Sequence, residues 1–409
     1  MHRFALGSLA VLALLLSGLS SPAVAHSDES AKKDSVTVRT KGLGHRQVDA
    51  LATALTTSQD GLPGGTVAGL WVPGKGMWIG SVGQADITRQ RPMRPGLQMP
   101  VGSITKTLTG TLVLQEVQRG RIKLDDPIAK WFPTFPKGDT ITVAMLLNMS
   151  SGIADYVNEN FLKVTKQQRE HPKHVWKPAT QIWGAARMPR AFDVPGSQFS
   201  YSNTNTVMLG RILTKVTGRS LPVLMKRRIL DELGMDRSQL DMKGDPRAPY
   251  AQNYSLLYGE AHGKPKLLRT TDWSLSLEGA AGALRSTLWD MRNWGTALGT
   301  GQDVLGRKTQ RQRFAHCIDV VSRDGITAAY CLGTMTYRED ATGDIVAIWH
   351  NGRVLGATGY LGYFPRTKAV LVVQSNQDGE APETGLVPDA MAAAVVRELP
   401  ELVGYDASS

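Results

Sequence analysis

The sequence predicts an α/β (α+β) protein. An antiparallel sheet from both chain ends is flanked by helices, with an inserted all-helical domain between its halves. Three observations carry this expectation. Strand-like runs gather near both ends, helical apolar periodicity fills the middle, and 409 residues exceed what one core ordinarily organises. The implied division is 45–98 with 300–409 for the sheet-and-helix part and 99–299 for the insertion, with the active site at their junction.

The elements follow in order. Residues 1–25 read as a signal peptide: His2 and Arg3 give a positive start, an apolar run follows, and Ala23-Val24-Ala25 is a small-x-small cleavage site. An exported soluble protein is expected, with retention of the segment as an anchor the alternative. Residues 26–44 form a polar, charged leader. Val48, Leu51, Ala52 and Leu55 recur at helical spacing. Runs at 66–72 and 77–82 around Pro73-Gly74-Lys75-Gly76 predict a hairpin. From Ser103, apolar Leu108, Leu112, Val113 and Val117 predict a helix stopped by Gly120. Further helices are expected at 124–131, 142–148 and 206–216, then strands at 326–337, 345–349, 360–364 and 369–373. A last helix at 388–399 starts on Pro388.

The formal net charge of +11 is spread over several segments rather than one aromatic-interleaved stripe, which argues against nucleic acid. An anionic cell-wall polymer is the natural partner for such an exported surface, and a solvated surface without a partner explains the charge equally well. Cys317 and Cys331 are equidistant from Asp324 within good hairpin-turn chemistry. In an oxidising compartment they are expected to form a disulfide worth about 3 kcal/mol; two buried thiols are the alternative.

The chemistry concentrates at Ser103 and Lys106. Three residues apart at a helix start, they share one face. A Lys shielded from water near the positive helix end loses its preference for charge and can take the serine proton. Tyr201 offers a second proton carrier and Asn203 an amide that can orient a substrate peptide group. His350-Asn351-Gly352 ends an apolar strand, and Asn148 to Gly152 forms a polar turn. His171 and His174 have no plausible third partner, so no metal or cofactor is expected.

With these motifs in place the chain resembles the penicillin-recognising serine hydrolases, closest to soluble D-alanyl-D-alanine carboxypeptidases and the related class C β-lactamases and esterases. Val101-Gly102-Ser103-Ile104-Thr105-Lys106, Gly120-Arg121-Ile122-Lys123-Leu124-Asp125-Asp126-Pro127, Tyr201-Ser202-Asn203, Ala280-Ala281-Gly282, Tyr330-Cys331-Leu332-Gly333 and His350-Asn351-Gly352 come in family order. The resemblance implies a β-lactamase/transpeptidase-like fold and an acyl-enzyme on Ser103. Lys106 and Tyr201 would share the proton traffic, Asn203 would orient the substrate, and His350 would stand where relatives carry a Lys or His. Asn351, Gly352 and Arg353 would line the substrate, with an oxyanion hole from the Ser103 N–H and one from the strand after Gly352. A small peptide, ester or β-lactam is the implied substrate, and a monomer is expected. The carboxypeptidase activity is the leading expectation; esterase, D-amino-acid amidase and β-lactamase are alternatives, and an idle penicillin-binding or wall-binding module is a further one. Two departures stand out. Asn351 replaces a usual Thr, and Met335 stands near an expected carboxylate-binding Arg, leaving Arg338 or Arg353 as substitutes.

Overall fold

The computed structural model describes residues 36–157, 161–256, 267–381 and 385–404. The expected signal peptide and its cleavage site lie outside the described residues, as does the first part of the leader. Strand β1 (Thr37–Lys41) is followed by helix α1 (His45–Gln59) and the hairpin β2 (Gly65–Val72) and β3 (Gly76–Asp86). Helices α2 (Thr105–Gln118), α3 (Asn203–Thr217) and α4 (Leu288–Thr300) occupy the middle. Strands β4 (Ile318–Arg323), β5 (Ile326–Tyr330), β6 (Met335–Glu339), β7 (Ile345–Val354), β8 (Ala357–Phe364) and β9 (Ala369–Ser375) precede helix α5 (Val387–Glu398).

Among the described residues one ten-stranded sheet runs β1-β3-β2-β9-β8-β7-β6-β5-β4, with the short strand Arg91–Pro92 attached to β3. The antiparallel pairing of β9 with β2, Val370 opposite Trp71 through Ser375 opposite Thr66, sews the two chain ends together. One face packs α1 and α5 through Leu51, Leu55, Trp78, Val373, Met391 and Val395. The other packs α2 and α4 through Leu108, Leu112, Trp294, Leu361 and Val372. Both faces of β2 are therefore covered, and every residue of it is buried.

Four expectations need correction. The leader is not polar coil to its end, because Thr37–Lys41 pairs with β3 from Thr37 opposite Ser81 to Lys41 opposite Met77. This is an edge strand held by backbone bonds with most side chains exposed, so it leaves little hydrophobic pattern to read. The helix expected at 124–131 shrinks to the 3-10 turn Ile128–Lys130, because Asp126 accepts from Lys123 N at 2.8 Å and Pro127 is extended. The strand expected at 326–337 is two strands. The chain turns at Gly333 (φ +83°), where Cys331 N donates to Thr334 O at 2.8 Å. The insertion, read as helical, also contains the small sheet of Met99–Pro100, Leu284–Ser286 and Gln239–Leu240.

The expected disulfide joins Cys317 and Cys331, with their Cα atoms 3.9 Å apart. The hairpin turn is Asp324-Gly325, both at positive φ, between paired Arg323 and Ile326. Its centre therefore lies half a residue beyond Asp324. A bulge between Asp319 and Val321 absorbs the difference and shifts the register so that Ile318 faces Tyr330, bringing the flanking cysteines level.

Candidate active site

Helix α2 is buried on nearly every side, which an isolated amphipathic helix would not tolerate. It threads between the sheet and the 280–284 segment. Thr109 Oγ1 donates to Ala280 O at 2.8 Å and Leu284 N to Thr105 Oγ1 at 3.1 Å. A 3-10 turn, Gly102–Ile104, enters the helix and carries Ser103, so Lys106 falls in the first α-helical turn. Thr105 Oγ1 bonds Gly102 O at 2.7 Å and tightens this junction.

Strand β7 presses against that turn. A β-carbon at Gly352 would lie 2.0 Å from Val101 O and 2.9 Å from the Ser103 nitrogen. A β-carbon at Gly102 (φ +54°) would lie 2.5 Å from the Arg353 nitrogen. Glycine is required on both sides, and the backbone nitrogens of Ser103 and Arg353 thereby flank the serine turn.

Lys106 Nζ donates to Ser103 Oγ at 2.9 Å, Asn203 Oδ1 at 2.7 Å and Ala281 O at 3.0 Å. All three acceptors are neutral. Burial lowers the amine's pKa to about 7, against the opposing pull of the Asp155 and Glu278 carboxylates. Asn203 opens α3, and Asp155 fixes it by accepting from its Nδ2 at 2.8 Å and its backbone N at 3.2 Å. Asn203 Oδ1 is thereby turned to Lys106. The Tyr201 ring centre lies 4.9 Å from Lys106 Nζ, and its phenol interacts with the Ser103 side chain. Burial raises that phenol above its usual range and the Asp155 charge adds to the rise, with the Ser103 interaction opposing them. Tyr201 is therefore a protonated donor at neutral pH.

The structure thus gathers Ser103, Tyr201 and Asn203 around the Lys106 amine. His350 is close but engaged. Its Nδ1 meets Asn351 O at 2.5 Å and its Nε2 meets the Tyr330 hydroxyl at 3.0 Å. Burial, with repulsion from Lys106 second, lowers its pKa to about 3, although the Asn351 bond opposes this. The ring is neutral, with Nδ1–H donating and Nε2 accepting. Both ring nitrogens of His350 are thus engaged, Nδ1–H with Asn351 O and Nε2 with the Tyr330 hydroxyl.

Of the next residues, Gly352 and the Arg353 backbone stay at the serine turn, while the Asn351 and Arg353 side chains are engaged elsewhere. Gly352 faces the serine turn, so Asn351 faces the other side of the strand. There its Nδ2 bonds both Asp389 oxygens of α5 at 3.2 Å. The Arg353 guanidinium pairs with Glu380 at 2.5 Å and with Asp378 O at 2.6 Å. Arg338 pairs with Asp319 at 3.2 Å, and Met335 is buried.

Sequence reasoning missed Asp155 and Glu278, and it quoted Tyr330 within a motif without giving it a role. Asp155 lies just beyond the Ser151-Gly152 turn that the sequence flagged. Glu278 carries no motif at all; burial raises its pKa to about 7, with hydrogen bonds and the Lys106 charge opposing. Among the described residues no three His, Cys, Asp or Glu side chains converge as a metal site would need. No helix among them is long and apolar enough to cross a membrane.

Comparison with known proteins matches residues 48–396 to the family described as Beta-lactamase. A D-aminopeptidase of Cereibacter sphaeroides is 32% identical over 207 residues, covering 49% of this chain and 38% of that protein. The chain thus spans well under half the length of that relative. Penicillin-binding protein 4* of Bacillus subtilis is 24% identical over 317 residues, 76% of this chain and 68% of its own. A crystal structure of a D-stereospecific amidohydrolase from Streptomyces sp. superposes with a TM-score of 0.72 at 27% identity, covering 86% of this chain and 98% of that one.

Proposed function

The chain belongs to the β-lactamase family of serine hydrolases, and we propose that it cleaves amides or short peptides of D-amino acids through an acyl-enzyme on Ser103. The observation that carries this is the 2.9 Å contact between Ser103 Oγ and an amine whose burial brings its pKa to about 7. Neutral Lys106 takes the Ser103 proton as the oxygen attacks the substrate carbonyl. The Ser103 and Arg353 backbone N–H groups hold the developing oxyanion, usually the largest single contribution in acyl transfer. Tyr201, kept protonated by burial, delivers a proton to the leaving nitrogen, and Asn203 orients the substrate amide. Water then releases the acyl group by the reverse sequence.

This reading moves away from the carboxypeptidase expectation. Gripping a terminal carboxylate calls for a free cation. The two arginines weighed for that role are both engaged, Arg353 by Glu380 and Arg338 by Asp319. The names of the similar D-aminopeptidase and D-stereospecific amidohydrolase support an amide of a D-amino acid instead. Export after cleavage at Ala25 belongs to the proposal and rests on the sequence alone; N-terminal sequencing of the protein from culture medium tests it.

The test of the activity is Ser103→Ala with D-phenylalaninamide and p-nitrophenyl acetate, alongside mass spectrometry of the native protein after exposure to penicillin. We expect turnover to fall at least about 10⁴-fold and the adduct to map to Ser103. Full turnover by the alanine variant overturns the reading.

A further inference from the structure

The proposed reaction leaves one charged group beside the nucleophile unused. Glu278 immediately precedes the 3-10 turn Gly279–Ala281. The last residue of that turn supplies the carbonyl that holds Lys106 Nζ at 3.0 Å. A β-carbon on Gly282 would lie 2.8 Å from Glu278 Cβ and 3.6 Å from the carbonyl carbon of Gly102. The root of the Glu278 side chain and the backbone entering Ser103 therefore flank the same glycine. The carboxylate charge is felt by both Lys106 and Tyr156.

Its partners are its own backbone N–H and Gln168. Gln168 Nε2 reaches Oε1 at 3.5 Å, the outer limit of a hydrogen bond. Oε2 is hidden from solvent and has no hydrogen-bond partner. Two other buried carboxylates are treated differently. Asp241 holds the Arg285 guanidinium at 2.6 Å, and Glu116 holds Arg121 at 2.6 Å. A half-satisfied carboxylate in a water-poor wall is costly, and the cost is relieved when a cation arrives. Lys106 does not serve as that cation, since its three hydrogen bonds go to neutral acceptors.

We propose that Glu278 is the specificity residue of this cleft, its free oxygen receiving the ammonium group of a substrate with a primary amine next to the scissile carbonyl. The inference rests on the acyl-enzyme reading of Ser103 and narrows the substrate to unblocked amino-acid amides and peptide N-termini. It also fits a site whose neighbouring arginines are already paired. A neutral Lys106 leaves the incoming ammonium unopposed. Binding is therefore strongest at a pH high enough to ionise Glu278 and discharge Lys106, yet low enough to keep the substrate amine protonated.

The experiment compares D-phenylalanine 4-nitroanilide, its N-acetyl derivative and p-nitrophenyl acetate in the wild type, Glu278→Gln and Glu278→Asp. The expected result is a wild-type preference for the free amine that falls roughly 10–100-fold in Glu278→Gln, mostly through KM. The preference is read as the ratio of kcat/KM between substrates, so a general loss of folded enzyme cancels. Glu278→Asp restores part of it. In parallel, D-phenylalaninol, an amine without a scissile bond, inhibits ester hydrolysis by the wild type at least tenfold more tightly than by Glu278→Gln. An unchanged ratio with unchanged inhibition overturns the proposal, as does a wild type indifferent to N-acetylation. The parent reading fails separately, if Ser103→Ala still hydrolyses p-nitrophenyl acetate.

Discussion

Arg285 and Lys106 are both basic side chains cut off from solvent, at 0% and 1% exposure, yet the fold treats them in opposite ways. Arg285 gives Nε to Asp241 at 2.6 Å, Nη2 to Thr271 O at 2.7 Å and Nη1 to Asn253 at 3.3 Å. Asp241 is held in turn by the backbone nitrogens of Lys243, Gly244 and Asp245. Burial pulls the guanidinium down and Asp241 opposes it, so an arginine stays charged and ties the short strand Leu284–Ser286 to its neighbours. Lys106 has as many hydrogen bonds but no carboxylate in contact. Asp155 and Glu278 act on it only from a distance, too weakly to offset desolvation. The lesson is that burial alone does not make a reactive amine; burial with neutral acceptors does.

The sharpest way to break this comparison is to remove each charge in turn. Lys106→Met is expected to lower kcat/KM on p-nitrophenyl acetate by about 10³–10⁴-fold, with folding stability changed by less than about 1 kcal/mol because a buried amine and its desolvation cost disappear together. Calorimetry and ester kinetics on one preparation check both halves. Arg285→Met should do the reverse. It strands the Asp241 carboxylate and costs about 3–5 kcal/mol in urea unfolding, while the molecules still folded keep their turnover per active site, measured by penicillin titration. If both variants lose activity without losing stability, the contrast is wrong.

Gly352→Ala sharpens the picture from the side of the backbone. The added carbon must displace the serine turn, since Val101 O would stand 2.0 Å away. A fall in kcat of about 10²–10³-fold, at unchanged inflection pH, separates oxyanion stabilisation from amine activation. Tyr330→Phe is the mildest. It removes the donor to His350 Nε2 and should cost about 1 kcal/mol in thermal unfolding, with less than a tenfold change in rate, because the proposed proton transfers run through Lys106 and Tyr201.

The same contrast explains what could be read from the chain beforehand. Ser103 and Lys106 were legible because one helical turn fixes their relation locally. The sheet halves, the hairpin and the disulfide were legible because alternation and turn residues are local too. Asp155 and Glu278 were not, since nothing in their neighbours' identity shows that a distant helix will bury them beside an amine. The place of His350 at a strand end beside the serine turn is legible, but its neutrality is not, because that comes from burial and from the nearness of Lys106. The edge strand Thr37–Lys41 was missed because its backbone, not its side chains, holds it.

The central claim is that a neutral Lys106 makes Ser103 nucleophilic, and the pH dependence of the acylation burst with a p-nitrophenyl ester tests it most directly. The amine is charged below its pKa and free above it. The burst rate should therefore rise through an inflection near 7, which moves to lower pH in Glu278→Gln because that carboxylate raises the amine's pKa. A burst rate flat from about pH 5 to 9, or one rising only near the ordinary lysine pKa of about 10.4, would contradict it.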